Sequence, residues 1–283
     1  MSLNGSLENS ISQSSGIALL FWQSQYVVSR NTLYIRVDEY SPVCARFSAV
    51  AMGMKGEVKD PSTLVLVATL EEEEGIGPTL AEIRNILHSA HCLVVDGRST
   101  DGTAKVAESM GAQVIFQKGS GKGDAIATAI EHTKTLDVKY VAILDADFTY
   151  PAEYLPEMIS ILDENPNVGM VCGNRFNDHF HLKGMRDMFY LGNRVLASIH
   201  NLLNGVDLRD PLTGLRVARW EILRDWKPKS KGFDIEVELN HYVEKRGFAI
   251  REIPIHYRVR LGEKKLKLRH GFRILERILQ ESI

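Results

Sequence analysis

The chain has 283 residues, 44% of them hydrophobic and 25% charged, the proportions of a soluble globular protein with a substantial core. A formal net charge of −2 removes whole-chain electrostatics as a reason to expect nucleic acid, and no apolar run approaches the ~20 residues of a membrane span. Cys44, Cys92 and Cys172 are widely spaced and form no Cys-x-x-Cys, which points to buried free thiols in a reducing, cytoplasmic compartment.

Residues 1–60 read as a poorly defined extension. Met1–Ser15 is rich in Ser and Asn, the composition of a disordered leader. Gly16–Trp22 is apolar but short, and it lacks the basic flank and cleavage site of a signal peptide. Tyr26–Val37 suits an extended segment, and the native product is expected to start at Met52 or Met54. From Thr63 strands and helices alternate. Buried strands are predicted at Leu64–Ala68, Cys92–Asp96, Gln113–Phe116, Tyr140–Leu144 and Val168–Cys172. Helices are predicted from about Pro78 to Ser89 and over Ala104–Met110, Asp124–Lys134 and Glu153–Asp163. This rhythm implies right-handed crossovers and a mostly parallel sheet flanked by helices, an α/β domain over residues 61–265.

After Arg175 the rhythm lapses. A polar loop (Asn177–Asp187), a helix (Met188–Leu203), a turn-rich link (Asp210–Arg216), a helix within Gly232–Arg246 and a strand (Phe248–His256) follow. Residues 266–283 read as a C-terminal basic amphipathic helix, with Leu268, Phe272, Leu275 and Leu279 on one face and Arg269, Arg273 and Arg277 around it. Such a helix packs on its own domain or lies on a membrane surface.

The chemistry collects where the strands end. Asp145 and Asp147 close the fourth strand, on the edge of the sheet where open α/β folds bind ligands. Carboxylate oxygens suit Mg²⁺ or Mn²⁺, ions that take one or two protein carboxylates and complete their shell with water and phosphate oxygens. Asp96 ends the second strand, placed to accept hydrogen bonds from a base or ribose. The amides of Gly119–Gly123, with Gly121 and Lys122, are expected to face a nucleotide, although the spacing is not that of a P-loop. Arg258, Arg260, Lys264 and Lys265 offer positive charge suited to phosphate. His179 and His181 form a His-x-His with no third ligand nearby, which favours a mobile acceptor loop over a transition-metal site.

These stretches resemble the family 2 glycosyltransferases of GT-A fold, within them the dolichol-phosphate mannose or glucose synthase branch. The resemblance rests on Ala68-Thr-Leu-Glu-Glu72, Val94-Val-Asp-Gly-Arg-Ser-Thr-Asp-Gly-Thr103 and Gly121-Lys-Gly123. It continues through Asp145-Ala-Asp147, Gly173-Asn-Arg175, Asp210-Pro-Leu-Thr-Gly-Leu-Arg216 and Tyr257-Arg-Val-Arg-Leu-Gly-Glu-Lys-Lys-Leu266, and covers roughly residues 63–275. It implies that Thr69, Glu72 and Asp96 contact the nucleoside, that Asp145 and Asp147 bind the metal, and that Arg260 and Lys265 grip phosphates. Arg175, Asp210 and Arg216 would then shape the sugar and acceptor side. Glu71 stands where the family usually has Asn, Gly97-Arg98 replaces Asp-Gly or Asp-Asn, and Thr149 stands where close relatives place a Gln. These departures leave GDP-mannose against UDP-glucose open. The chain lacks the two membrane helices that some relatives carry after the catalytic domain, so a lipid acceptor implies a partner membrane protein or the C-terminal helix as anchor.

The implied reaction moves a hexose from a nucleotide sugar to a polyprenyl phosphate at the membrane surface. A phosphate monoester, with a second pKa of about 6, is already an anionic nucleophile at neutral pH. A hydroxyl acceptor, such as a glycerate or saccharide, would need a general base, for which Asp210, Asp234 and Glu236 are candidates. Asp145-Ala-Asp-Phe-Thr149 also matches the nucleophile loop of haloacid-dehalogenase-like phosphatases. There, however, the motif follows the first strand; here three strand–helix units precede it. A catalytically silent nucleotide-binding subunit would require the aspartate pair to be idle.

Overall fold

The structure is a computed structural model, and it describes residues 26–29, 32–35, 62–176, 188–204, 206–263, 265 and 269–282. The chain divides into two compact units, Met1–Val58 and Lys59–Ile283. In the first, β1 (Tyr26–Ser29) and β2 (Thr32–Ile35) pair as an antiparallel hairpin, within the stretch read as extended. The leader, Met52, Met54, Cys44, Lys264, Leu268 and the polar loop with His179 and His181 lie outside the described residues.

The second unit is built on runs that bury both faces of a strand. β3 (Thr63–Thr69), β4 (His91–Asp96), β5 (Gln113–Phe116) and β6 (Tyr140–Asp145) are parallel neighbours, and three of them carry near-continuous buried positions. Alternate side chains pass to opposite sides. Val65, Val67, Val94 and Leu144 pack under α1 (Glu73–Ile86), α2 (Thr103–Ser109) and α4 (Leu155–Glu164). Leu64, Leu66, Leu93 and Ile143 pack under α3 (Lys122–Thr133) and α7 (Ile235–Lys245). A 3₁₀ turn, Ala152–Tyr154, leads into α4. The sheet is completed by β7 (Val168–Asn174), β8 (Arg216–Arg219) and β9 (Ala249–Pro254), in the order β5-β4-β3-β6-β8-β7-β9. Only β8 runs against its neighbours, pairing antiparallel with β6 and β7, so the sheet is mostly parallel as predicted.

The chain winds outward from β3 to β5, then returns to the other side of β3 as β6. The strand order therefore switches between β3 and β6, where a crevice opens at the carboxyl ends of the strands. Thr69 pairs in register with Asp96, and Ala68 with Asp145. Three of the predicted site residues are thus brought to one rim by sheet register alone.

Four elements differ from the sequence reading. α1 starts at Glu73, five residues before Pro78, which lies inside the helix. Glu72 O accepts the amides of Gly75 and Ile76, and the first-turn acids Glu73 and Glu74 suit the positive helix end. β8 and the short α6 (Trp220–Leu223) fall in a stretch without an apolar run, because Arg216 and Arg219 flank only two small buried residues, Val217 and Ala218. α5 (Met188–Asn204) packs with α7 and α8 (Arg269–Glu281) through Ile274, Ile278, Val237, Leu196 and Ile199. The buried stripe of α8 is therefore Ile274 and Ile278, whereas Phe272 and Leu279 of the predicted face are exposed. Among the described residues no helix is long and apolar enough to cross a membrane. Cys92 and Cys172 are buried free thiols, and burial pushes Cys172 up to about 12.

Burial also raises the carboxyl of Glu244, near the end of α7, to about 7. Between about pH 4.5 and 7 the folded chain then holds a proton that the unfolded chain has lost, so stability falls as pH rises through that window. Glu244→Gln removes the penalty and is expected to stabilise the protein at pH 8 by on the order of 1 kcal/mol, the half-buried site discounting the full shift. Thermal unfolding of both proteins from pH 4 to 8 checks this: the gap should open between about pH 4.5 and 7 and stay flat above.

Candidate active site

Three turns form the rim, one each after β3, β4 and β6. Each holds a non-glycine residue at positive φ: Glu71 at 51°, Arg98 at 67° and Phe148 at 63°. Such backbone costs about 1–2 kcal/mol per residue, and its gathering at one end of a sheet marks a functional site. Glu71 and Arg98 are also two of the positions that depart from the family's Asn and Gly, residues that tolerate this conformation more readily. Glu71 is braced by Thr100, whose amide and hydroxyl both donate to its carboxylate (2.7 and 3.1 Å).

The aspartate loop is held from below and from the side. Gly75 of α1 lies so close that a Cβ there would meet Ala146 O at 2.5 Å and Asp147 Cα at 2.8 Å. Thr79 Oγ1 donates to Ala146 O at 3.2 Å. On the other flank a Cβ at Gly214 would meet Asp145 Oδ2 at 2.5 Å, and the Gly214 amide donates to the buried Tyr150 hydroxyl at 2.7 Å. Gly75 and Tyr150 shape the site yet carry no motif of their own, and Gly214 does so from within the Asp210–Arg216 stretch; the close approach of backbones reveals their role.

Asp147 accepts from Thr149 through both amide (3.2 Å) and hydroxyl (2.6 Å), and from Arg260 Nη1 at 2.7 Å. Arg260 also donates to Glu72. Burial and the neighbouring Asp145 raise the carboxyl of Asp147, while burial, partly offset by Arg260, lifts Glu72 to about 7. Residues 258–261 run along the loop, with Arg258 N donating to Thr149 O and Leu261 N to Asp147 O. Lys265 Nζ reaches Glu71 O at 3.0 Å. Arg260 and Lys265 thus stand at the rim.

Beside them three buried acceptors have no protein partner among the described residues: Thr69 Oγ1, Glu72 Oε2 and Asp96 Oδ2. A buried acceptor left unpaired costs about 1–3 kcal/mol, so these atoms mark a place that a polar ligand completes. Asp145 and Asp147 supply carboxylate oxygens, and no cluster of three or more His, Cys, Asp or Glu suited to a metal occurs among the described residues. That donor set fits a hard divalent ion that takes the rest of its shell from water and phosphate.

Other predicted residues have different positions. The Lys122 side chain is only 10% exposed. It is buried behind the aspartates, its Nζ 2.6 Å from Asp145 and 2.7 Å from Glu236. Burial opposes its charge, but the two carboxylates outweigh that and hold it firmly protonated. The glycine loop is likewise a packing device: a Cβ on Gly121 would collide with Lys231 O and one on Gly123 with Ser230 O, and the Gly123 amide donates to Lys231 O. Arg216 is 1% exposed and bonds Thr213 O, Pro211 O and Asn240 Oδ1, so it holds the preceding turn in the core and offers no acceptor contact. Arg258 is committed to Glu82 through two bonds (2.6 and 2.8 Å) and stacks over Phe148. Arg175 and Asp210 form a bidentate pair (2.7 and 2.8 Å) that leaves Asp210 1% exposed, with the guanidinium over the Tyr257 ring. Glu252 braces that turn by accepting the amides of Arg209 and Asp210.

A switch-point crevice with an aspartate pair and unpaired acceptors, on a mostly parallel sheet flanked by helices, defines a glycosyltransferase of GT-A fold. Glucosyl-3-phosphoglycerate synthase from Mycobacterium tuberculosis, solved with Mn²⁺, uridine diphosphate and glucosyl-3-phosphoglycerate, superposes with a TM-score of 0.63 over 78% of this chain and 80% of its own; at 20% identity the likeness is one of fold. The glycosyl transferase family 2 model matches residues 64–225. A dolichyl-phosphate hexose transferase of Haloferax volcanii is 36% identical over 208 residues, 71% of this chain and 85% of the relative. Glycosyltransferase AglJ of the same organism is 36% identical over 193 residues, 68% of this chain but 62% of its own length. The chain belongs to glycosyl transferase family 2.

Proposed function

We propose that the protein transfers a hexose from a nucleoside diphosphate sugar to a polyprenyl phosphate of the dolichyl type. The observation that carries the acceptor is the state of the three candidate bases. Asp210 is locked to Arg175, Asp234 accepts from Arg277 Nε at 3.1 Å, and Glu236 pairs with Lys122. All three are less than a tenth exposed. A hydroxyl acceptor would need one of them free to take its proton, whereas a phosphate needs none. The relative named as a dolichyl-phosphate hexose transferase supports the same reading.

In this account Thr69, Glu72 and Asp96 complete their hydrogen bonding on the nucleoside. Asp145 and Asp147 would hold Mg²⁺ or Mn²⁺, which when bound neutralises charge building on the leaving diphosphate. Arg260 turns from Glu72 and Asp147 towards the diphosphate, assisted by Lys265, and Tyr257 keeps Arg175 in place beside the acceptor.

The test is transfer of labelled sugar from GDP-mannose or UDP-glucose, with Mn²⁺ present, to a polyprenyl phosphate and, in parallel, to glycerate and simple saccharides. Label in the organic-extractable product is expected. Label passing only to a hydroxyl acceptor would overturn the reading in favour of a soluble transferase.

A further inference from the structure

Sheet register sets three side chains in a row at the carboxyl ends of β3, β4 and β5: Thr69 pairs with Asp96, and Asp96 with Phe116. Two positions earlier Val67, Val94 and Val114 pack in one cluster, so by alternation Thr69, Asp96 and Phe116 all leave the sheet on that side. Thr69 and Asp96 are buried, and each keeps a side-chain oxygen with no protein partner among the described residues. Phe116, by contrast, is 57% exposed. A lone exposed aromatic needs no explanation, but one standing a strand spacing of about 4.8 Å from an unpaired buried carboxylate does. That is the distance at which a ring packs on a base whose edge meets the carboxylate.

Arg98 is the second unused group. It is exposed in the turn after β4, and among the described residues no hydrogen bond or ion pair holds it. The turn is pinned on both sides of it, the Gly97 amide donating to Thr69 O at 2.8 Å and the Ser99 amide to Asp96 Oδ1 at 2.6 Å. Arg98 keeps left-handed backbone there, strain of the kind found at ligand sites. We propose that Phe116 and Arg98 complete the base pocket, Phe116 by stacking and Arg98 by donating to a base carbonyl, and that they make the donor a uridine diphosphate sugar.

The hydrogen-bonding edge selects uracil. Asp96 Oδ1 is taken by Ser99, which leaves one carboxylate oxygen for a base N–H. Uracil has one such group, N3–H, between two carbonyls, and the Thr69 hydroxyl and Arg98 supply donors for those carbonyls. Guanine sets N1–H and N2–H side by side and calls for two adjacent acceptors. Cytosine and adenine have no ring N–H on that edge. The turn carries Gly97-Arg98 where Asp-Gly or Asp-Asn would add a second carboxylate, so its balance has moved from acceptor to donor. This assignment deepens the nucleoside diphosphate sugar reading, on which it rests, and is independent of the acceptor.

The experiment is calorimetric titration of the full chain, with Mn²⁺ present, against UDP, GDP, CDP and inorganic diphosphate. UDP is expected to bind about tenfold tighter than GDP or CDP. Phe116→Ala should weaken UDP about tenfold and Phe116→Tyr should keep it. Neither should move the binding of inorganic diphosphate or the ligand-free unfolding temperature, the side chain being exposed. Arg98→Ala should bring UDP down towards GDP, again with inorganic diphosphate unmoved. GDP binding as tightly as UDP overturns the proposal, as does a Phe116→Ala protein that binds UDP like wild type. Inorganic diphosphate lost in proportion with UDP overturns it too, since the two residues would then act on phosphate or on the fold. Protein that binds no nucleoside diphosphate sinks the donor reading and this assignment together. Sugar passed from a GDP donor to polyprenyl phosphate leaves the proposed reaction standing and sinks the uracil assignment alone.

Discussion

Asp147→Asn is expected to lower sugar transfer about a thousandfold while changing stability by no more than about 1 kcal/mol. The first half follows from charge. If Asp145 and Asp147 hold a divalent ion against the diphosphate, removing one of only two carboxylates withdraws most of the field that binds the ion, and losses near 4 kcal/mol in the transition state are usual for such groups. The second half follows from local geometry. Asn has the volume of Asp and can still accept from either Thr149 or Arg260, while Arg260 keeps Glu72. The lost ion pair is offset because Asp147 is buried and its charged form is already disfavoured. Two measurements check it: release of nucleoside diphosphate from the donor, and the thermal shift produced by Mn²⁺ with that diphosphate. Loss of both with an unshifted ligand-free unfolding temperature is the expected pattern. Unchanged turnover would remove the aspartate pair from the mechanism.

What the sequence disclosed depended on which physical signal each element carries. β3, β4 and β6 are buried on both faces, so their apolar runs announce them, and the carboxylates that end them are carried to the rim by register. β8 is equally buried but takes much of its burial from an arginine, Arg216, whose guanidinium is satisfied by Pro211, Thr213 and Asn240. No periodicity reveals a charged residue whose donors are satisfied by partners that the fold assembles from as far as 24 residues away. The glycine loop shows a packing role that its sequence does not announce. Gly121 and Gly123 look like a cradle for phosphate, but their missing Cβ atoms make room for the backbone of Lys231 and Ser230, a neighbour invisible in one dimension. Lys122 follows the same packing, which turns it inward to Asp145 and Glu236. In α8 the period of 3.6 admits two apolar stripes, and Ile274 and Ile278 are buried while Phe272 faces out. Only the position of α5 and α7 decides between them.

Asp210→Asn should be the most damaging single change to the fold outside the hydrophobic core, and it separates the two acceptor readings. Asp210 is 1% exposed and takes three bonds from Arg175, two from the guanidinium and one, at 3.0 Å, from the amide. Breaking a buried pair costs about 3–5 kcal/mol because the surviving charge stays desolvated. Asn keeps one of the bonds and Arg175 is 14% exposed, so a loss of about 2–3 kcal/mol is expected, seen as a fall of about 5–10 °C in Tm for a unit of this size. If Asp210 only holds Arg175 over Tyr257, the variant should weaken acceptor binding, raising KM more than it lowers kcat, with the shape of the pH–rate profile unchanged. If Asp210 were the general base of a hydroxyl transferase, the variant would lose kcat by about 10²–10⁴ and the acidic limb of its profile would disappear. A variant as stable as wild type that lost that limb would overturn both the structural role of the pair and the phosphate acceptor.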